Sequence, residues 1–168
     1  MVRDFDELLA AMPAHARERA AFRAKAILDR MAQPIQHVRQ EHANGCAIAA
    51  IAMVTRLTYR EVLAELPPLI EERVRGNGLG TMFETFQALQ RLGYAVAPEW
   101  RGEWGRPRPE WKPQPVGNIN IAEVTVPGGG HMVAVLADGA VLDPAKDAAP
   151  RSLAEYDVNW IAAVVPLG

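Results

Sequence analysis

Gln40-Glu41-His42-Ala43-Asn44-Gly45-Cys46-Ala47-Ile48-Ala49-Ala50-Ile51-Ala52-Met53-Val54 carries the only cysteine of the 168-residue chain. A turn-forming pair, Asn44-Gly45, gives way there to an almost wholly apolar run rich in alanine. Asn is a favoured N-cap, so the pattern predicts a helix over about 45–57 with Asn44 at its start. Apolar residues cover every side of that helix, which places it inside the protein. Cys46 falls in its first turn, where unpaired backbone N–H groups and the positive end of the helix dipole favour a thiolate. A single Cys in an Ala-rich helix is more often a small buried hydrophobe than a nucleophile. The rest of the chain decides between the two.

Composition narrows the field. One domain with a real core fits this length. An apolar content of 49% with 23% charged residues describes an ordinary globular protein. The net charge of −2 gives no reason to expect nucleic acid as a partner. A lone Cys forms no internal disulfide and fits a reducing, cytoplasmic setting. Neither an N-terminal h-region nor an 18-residue apolar run is present, so neither a signal peptide nor a membrane span is expected.

Ahead of Cys46 the pattern predicts a short helix over 3–11 and a longer one over 13–32. The longer helix has the one-sided stripe Ala20, Ala24, Ile27, Leu28 and Met31. This N-terminal arm, residues 1–33, is set apart from a main domain over 34–168. The connector holds His37 and His42, which with one distant Cys do not give a metal-ligand spacing, so neither metal nor cofactor is expected. His42 reads as a rim residue. Beyond Cys46, Thr58 and Glu61 form a capping box for a helix over 59–66, ended by Pro67-Pro68. One more turn is expected over 69–75, and Gly76-Asn77-Gly78-Leu79-Gly80 reads as a loop lacking the Lys and Thr of a phosphate cradle. A helix over 82–92, capped by Thr81 and ended by Gly93, turns Phe83, Phe86, Leu89 and Gln90 inward.

Strands follow. Residues 94–97 make a short one. Residues 98–115 interleave five prolines with Trp100, Trp104 and Trp111 and with Arg101, Arg106 and Arg108. That mixture excludes a helix or central strand and predicts a long surface loop. Exposed Trp and Arg suit protein contacts, so this loop reads equally as a partner-binding element or as a lid whose tryptophans fold back over the core, and the N-terminal helix reads first as a helix packed on the domain's flank and second as a docking or dimer arm. Residues 116–126 alternate, with Ile119 and Ile121 on one face and Asn120, Ala122 and Val124 on the other. Pro127-Gly128-Gly129-Gly130 forms a turn, and strands over 131–136, 140–143 and 160–166 complete the chain. Residues 151–157 are expected as polar surface. Helices first and hairpin strands after argue for an α+β fold with an antiparallel sheet.

A thiol-based acyl-transfer site needs a thiolate, a proton shuttle, a group that orients the shuttle and donors for the oxyanion. Cys46 supplies the first. His131, at a strand start after three glycines, is the candidate base. Asp143 is the candidate orienter if the hairpin register allows it. A two-residue loop, Asp138-Gly139, would put Asp143 opposite Ala134, on the wrong side of the sheet. A three-residue loop, Ala137-Asp138-Gly139, pairs Leu136 with Ala140 and puts Asp143 opposite Val133, diagonal to His131 on the same side. Diagonal neighbours lie roughly 7–8 Å apart. Gly139 can supply the left-handed position such a loop requires, so this is the expected register. The Gln40 amide and the Cys46 N–H are candidate oxyanion donors.

Gln40, five intervening residues, Cys46 before an Ala-rich helix, a later Gly-His leading apolar strand residues, Val-Leu-Asp-Pro at 141–144 and Arg91-Leu92-Gly93-Tyr94 together resemble the C39-type and C39-like cysteine peptidases. The resemblance covers about residues 35–145. It implies a papain-like fold, with a buried Cys-bearing helix packed on a C-terminal antiparallel sheet. It also implies a peptide or protein substrate hydrolysed through an acyl-enzyme. Position by position, Cys46 becomes nucleophile, His131 general base and acid, Asp143 orienter and Gln40 oxyanion donor. Ala47 stands where the family usually has Gly after the Cys, and Asn44-Gly45 stands where it has an acidic residue before it. Two other readings share these residues: an amidase, deamidase or acyltransferase with the same triad, and a non-catalytic partner-binding module on the same fold.

Overall fold

The computed structural model describes residues 11–66, 82–100, 102–103, 106–107, 112–115, 117–146 and 149–167. The turn expected over 69–75, the glycine loop at 76–80 and the Thr81 cap lie outside these, as do almost all of the 3–11 helix and most of the Trp/Pro/Arg stretch.

Helix α1 spans Ala14–Met31, α2 Cys46–Thr55, α3 Tyr59–Glu65 and α4 Met82–Arg91. The strands are β1 Tyr94–Trp100, β2 Gly102–Glu103, β3 Arg106–Pro107, β4 Ile119–Val126, β5 Gly129–Leu136, β6 Ala140–Leu142, β7 Arg151–Ser152 and β8 Asp157–Pro166. Six of them form one antiparallel sheet in the order β1-β8-β4-β5-β6-β7, and β2 pairs with β3 alone. The fold is α+β. Among the described residues no helix is long and apolar enough to cross a membrane.

Helix α2 is the centre of the molecule. Every residue from Ala47 to Thr55 is buried. The one polar side chain among them, Thr55, returns its hydroxyl to the Ile51 carbonyl at 2.7 Å, so nothing polar is stranded in the core. The helix ends on Arg56 in the left-handed conformation, with the Leu57 N–H reaching back to the Ala52 carbonyl. At the other end the cap is Gly45, not Asn44. The Gly45 N–H closes a turn onto the His42 carbonyl at 3.0 Å, and a Cβ on Gly45 would collide with the Tyr59 hydroxyl. Close approach of the Tyr59 side chain is therefore what selects glycine at this position.

Both faces of the sheet are apolar. Ile119, Ile121, Met132, Ala134, Trp160 and Ala162 pack with α2 in one core. Ala122, Val124, Val133, Val135, Val141, Leu153, Val158 and Ile161 form a second core on the other face. Alternation along β4 thus separates Ile119 and Ile121 from Ala122 and Val124 as expected.

Several local expectations need correction. Only the C-terminal half of the α1 stripe docks: Ile27 is buried, while Ala20 and Leu28 are exposed. Ile27 seats over Gly93, where a Cβ would lie 2.7 Å from Ile27 Cδ1 and φ is +90°. The inner face of α4 is Thr85, Ala88 and Leu89 with Phe86 beside it, whereas Phe83 is 65% exposed and Gln90 also faces solvent. Phe83 and Gln90 are seven residues apart on a flank of their own, which the aromatic ring made look apolar. Residues 98–100 are not loop: β1 runs on through Pro98 to Trp100, paired with β8. Proline is tolerated there because β1 is an edge strand. The glycine turn is shorter than expected, since Gly129 and Gly130 already pair with Val126 and Thr125 and leave only Pro127-Gly128 as the loop. Residues 151–157 are not featureless surface. They contain β7, a 3₁₀ turn at Leu153–Glu155 with a Ser152/Glu155 capping box, and the start of β8.

Candidate active site

The β5–β6 hairpin has the three-residue loop. Val135 pairs with Val141 and Ala134 with Leu142, and Gly139 takes φ +82°. Continued by one step, that register sets Asp143 opposite Val133 and diagonal to His131. The side chains meet: His131 Nε2 lies 2.7 Å from Asp143 Oδ1, with His131 8% and Asp143 2% exposed. A carboxylate only accepts, so Nε2 carries the proton and Nδ1 is left for another partner.

That partner is Cys46. By alternation His131 belongs to the second-core face with Val133, but it stands at the rim of β5, and its ring hydrogen-bonds the Cys46 thiol. The backbone N–H groups of Met132 and Ala47 also point at the sulfur. Two elements therefore converge on it, the N-terminus of α2 and the start of β5. Cys46 as a residue is only half-buried, unlike the nine helix residues that follow it.

The electrostatics of the three groups are coupled. Burial pushes the Cys46 thiol up, but the His131 hydrogen bond, the Met132 and Ala47 donors and the imidazole's charge outweigh it, and the thiol ends below its ordinary value. Burial pulls His131 down, but Asp143 and Cys46 more than reverse this and raise it to about 9. Burial pushes Asp143 up, yet the His131 contact, the Ala145 N–H and the Tyr156 hydroxyl hold it far below the usual carboxylate range. The three directions agree: each group's charged form, thiolate, imidazolium and carboxylate, is favoured over its ordinary balance by the other members of the series.

Asp143 is held by more than His131. The Ala145 N–H donates to Oδ1 at 2.9 Å, the Tyr156 hydroxyl donates to Oδ2 at 3.0 Å, and Lys146 Nζ lies 3.4 Å from Oδ2. The turn carrying Asp143 is itself tied to the connector ahead of α2. His37 Nε2 donates to the Asp143 carbonyl at 2.9 Å, and the Gln40 N–H donates to the Pro144 carbonyl at 3.1 Å. Tyr156 and His37 are partners of Asp143 that sequence reasoning missed. Neither has a local signal, because each depends on where a distant turn is carried by the fold. Removing the Tyr156 hydroxyl, as in Tyr156→Phe, deletes a hydrogen bond to a buried carboxylate. The expected loss is about 2 kcal/mol in a urea titration. It should be accompanied by a fall in kcat with little change in KM, as suits a group that touches only Asp143.

Gln40 is tied to the turns on either side of it, its N–H to the Pro144 carbonyl and its amide within the loop ahead of α2, and no hydrogen bond joins it to the Cys46 sulfur among the described residues. Its Nε2 donates to the Ala43 carbonyl at 2.9 Å, which fixes the amide orientation and leaves one Nε2 hydrogen over. Its Oε1 is buried and has no hydrogen-bond partner among the described residues. His42, far from idle at the rim, is hydrogen-bonded through Nδ1 to the Tyr59 hydroxyl at 3.0 Å and stacks on that ring. Burial together with the charges of Glu41 and Cys46 pushes Tyr59 up to about 12, so it stays a neutral hydroxyl beneath the loop.

No family model matches the chain, and no curated protein matches it. Solved structures do. A double-glycine motif protease from an AMS/PCAT transporter, determined in complex with its leader peptide, superposes with a TM-score of 0.50 at 15% identity, over 79% of this chain and 91% of that one. The peptidase domain of Streptococcus ComA, a bifunctional ABC transporter involved in quorum sensing, superposes with a TM-score of 0.51 at 13% identity, over 79% of this chain and 98% of that one. With a buried cysteine-tipped helix laid on a six-stranded antiparallel sheet, the chain has the papain-like fold of the C39 peptidase domains.

Proposed function

We propose that the protein is a cysteine peptidase whose triad is Cys46, His131 and Asp143, with Gln40 in the oxyanion site and residues 34–168 as the catalytic unit. The observation that carries this reading is the continuous series from the Cys46 sulfur through the His131 ring to Asp143 at the tip of a buried helix. The leader peptide bound by the AMS/PCAT protease supports a peptide as substrate class.

The Cys46 thiolate attacks the scissile carbonyl carbon and forms the C–S bond. The resulting oxyanion is met by the Cys46 N–H, which has no intrahelical partner, and by the second Gln40 Nε2 hydrogen. The C–N bond breaks as the imidazolium gives its proton to the leaving amine. His131 then takes a proton from water, the new C–O bond forms, the C–S bond breaks, and the thiolate and imidazolium are restored. Asp143 stays ionised throughout and holds the ring.

Incubation with a mixed peptide library, read by mass spectrometry for new termini, tests the reading. Cleavage is expected, and prior alkylation of Cys46 should abolish it. Cleavage that persists after complete alkylation of Cys46 would overturn it.

A further inference from the structure

One carboxylate beside the triad belongs to none of the roles above. Glu123 follows Ile119 and Ile121 on the face of β4 that packs toward α2, and it pairs across the sheet with Met132, whose N–H reaches the Cys46 sulfur. Its side chain lies over Gly130, the residue before His131. A Cβ there would meet Glu123 Oε1 at 2.9 Å, so the acid occupies the room that a side chain at 130 would need. Gly130 is exposed and Glu123 half-buried, so the carboxylate borders solvent next to the reacting groups.

Its partners are all neutral. Trp160 Nε1 donates to Oε2 at 2.9 Å and Asn159 Nδ2 donates to Oε1 at 3.0 Å. The Asn159 amide is turned that way because its Oδ1 accepts from the Thr125 hydroxyl at 3.1 Å. A β-bulge makes the arrangement possible. Glu123 pairs with Trp160 and Val124 with Val158, which leaves Asn159 as the extra residue. The bulge lets two consecutive β8 residues, Asn159 and Trp160, serve the same carboxylate. Trp160 is in turn braced edge-on by Phe86, with ring centroids 5.3 Å apart. Among the described residues no cation lies within ion-pair distance of Glu123. The carboxylate is thus fixed in place and, among the described residues, has no cation set against it.

Resting on the peptidase reading above, we infer that Glu123 forms a specificity subsite for a cationic side chain of the substrate, at the residue next but one to the cleaved bond on its acyl side. Cross-strand neighbours are about 5 Å apart, and an extended peptide advances about 3.3 Å per residue. On those spacings a Lys or Arg one residue removed from the carbonyl held at Cys46 is set against this acid, through Met132, which pairs with Glu123 and whose N–H reaches the sulfur. Charge-assisted bonds to a preorganised carboxylate discriminate well because nothing has to be reordered when the cation arrives.

Two reagents differing in one charge test this: lysyl-glycyl and norleucyl-glycyl chloromethyl ketone, in which the Cys46 thiolate displaces chloride and forms the C–S bond. The readout is the ratio of their second-order alkylation rates, followed by mass spectrometry. The wild-type ratio should favour the lysyl reagent by about tenfold, shrink with added salt, and fall to near unity in Glu123→Gln. Glu123→Asp, which keeps the charge on a shorter arm, should keep part of it. A merely structural Glu123 would change both rates together and leave the ratio standing, and thermal melts identify any unfolded variant. A wild-type ratio near unity, or one that survives in Glu123→Gln, overturns the subsite while leaving the peptidase reading intact. If neither reagent alkylates Cys46 faster than a free thiol in solution, the peptidase reading fails and the subsite falls with it.

Discussion

Replacing His131 with alanine is expected to lower kcat/KM by about 1,000- to 10,000-fold and to raise the pH at which Cys46 becomes reactive. Both effects have one cause. Burial alone drives the Cys46 thiol upward, and the largest influence opposing it is the His131 hydrogen bond. Without the ring, the Met132 and Ala47 N–H groups and the helix terminus are left to offset burial. The thiolate fraction at neutral pH falls, and no imidazolium remains to protonate the leaving amine. The same coupling sets the wild-type pH profile. The competent form has Cys46 deprotonated and His131 protonated, so the acid limb follows the lowered Cys46 value and the alkaline limb lies at about 9, where His131 loses its proton. Iodoacetamide alkylation of Cys46 across pH 4–10, run beside peptide hydrolysis, checks both. An alkylation profile identical in wild type and His131→Ala would show that ring and thiol do not communicate.

The parts of this site that could be read in the sequence are those governed by neighbours along the chain. Gly139 sits within a three-residue loop, and a strand's alternation has period two, so the loop length alone decides whether Asp143 shares a face with His131. The buried character of α2 follows from its having no polar flank. The parts that could not be read depend on elements meeting across the fold. His37 and Asp143 are separated by 106 positions, and Tyr156 reaches Asp143 only because the 3₁₀ turn at 153–155 folds that segment back. β7 is two residues long, too short for any periodicity to register. The N-cap is Gly45 and not Asn44, and the need for glycine there, where the hydroxyl of Tyr59 fourteen positions away fills the space of a Cβ, is visible only in the fold. The bulge at Asn159 adds one residue to a strand that otherwise alternates, and only pairing with β4 reveals it. The orientation of α4 failed for another reason: Phe83 and Phe86 offer two apolar flanks, and packing against Trp160 chooses Phe86.

Asp143→Ala is expected to be the most damaging change to stability in the site and to alter the shape of stability against pH. The side chain is 2% exposed and accepts from His131, the Ala145 N–H and the Tyr156 hydroxyl. Truncation leaves the buried His131 ring without its acceptor, together with the half-buried Tyr156 hydroxyl and the Ala145 N–H at the surface, a loss of about 3–5 kcal/mol if the cavity does not fill with water. Activity falls as well, by about 100-fold or more, because His131 loses the bond that fixes its tautomer and orientation. The sign of the pH effect follows from the two shifts. Asp143 is held below its unfolded value, so its contribution is present above about pH 4 and is lost as pH falls through the depressed folded value. His131 is raised to about 9, so its contribution is full below its unfolded value of 6.5 and is lost as pH rises from there through about 9. The wild type should therefore keep both contributions from about pH 4 to 6.5 and weaken on either side. In Asp143→Ala the acid-side decline loses this carboxylate's share. The alkaline-side decline shrinks, since Asp143 is the first of the groups that raise His131. Urea midpoints measured from pH 3 to 10 for both proteins separate these effects. Parallel curves, displaced but with the same shape, would mean that the His131–Asp143 contact carries no proton linkage and that Asp143 acts only as a turn residue before Pro144.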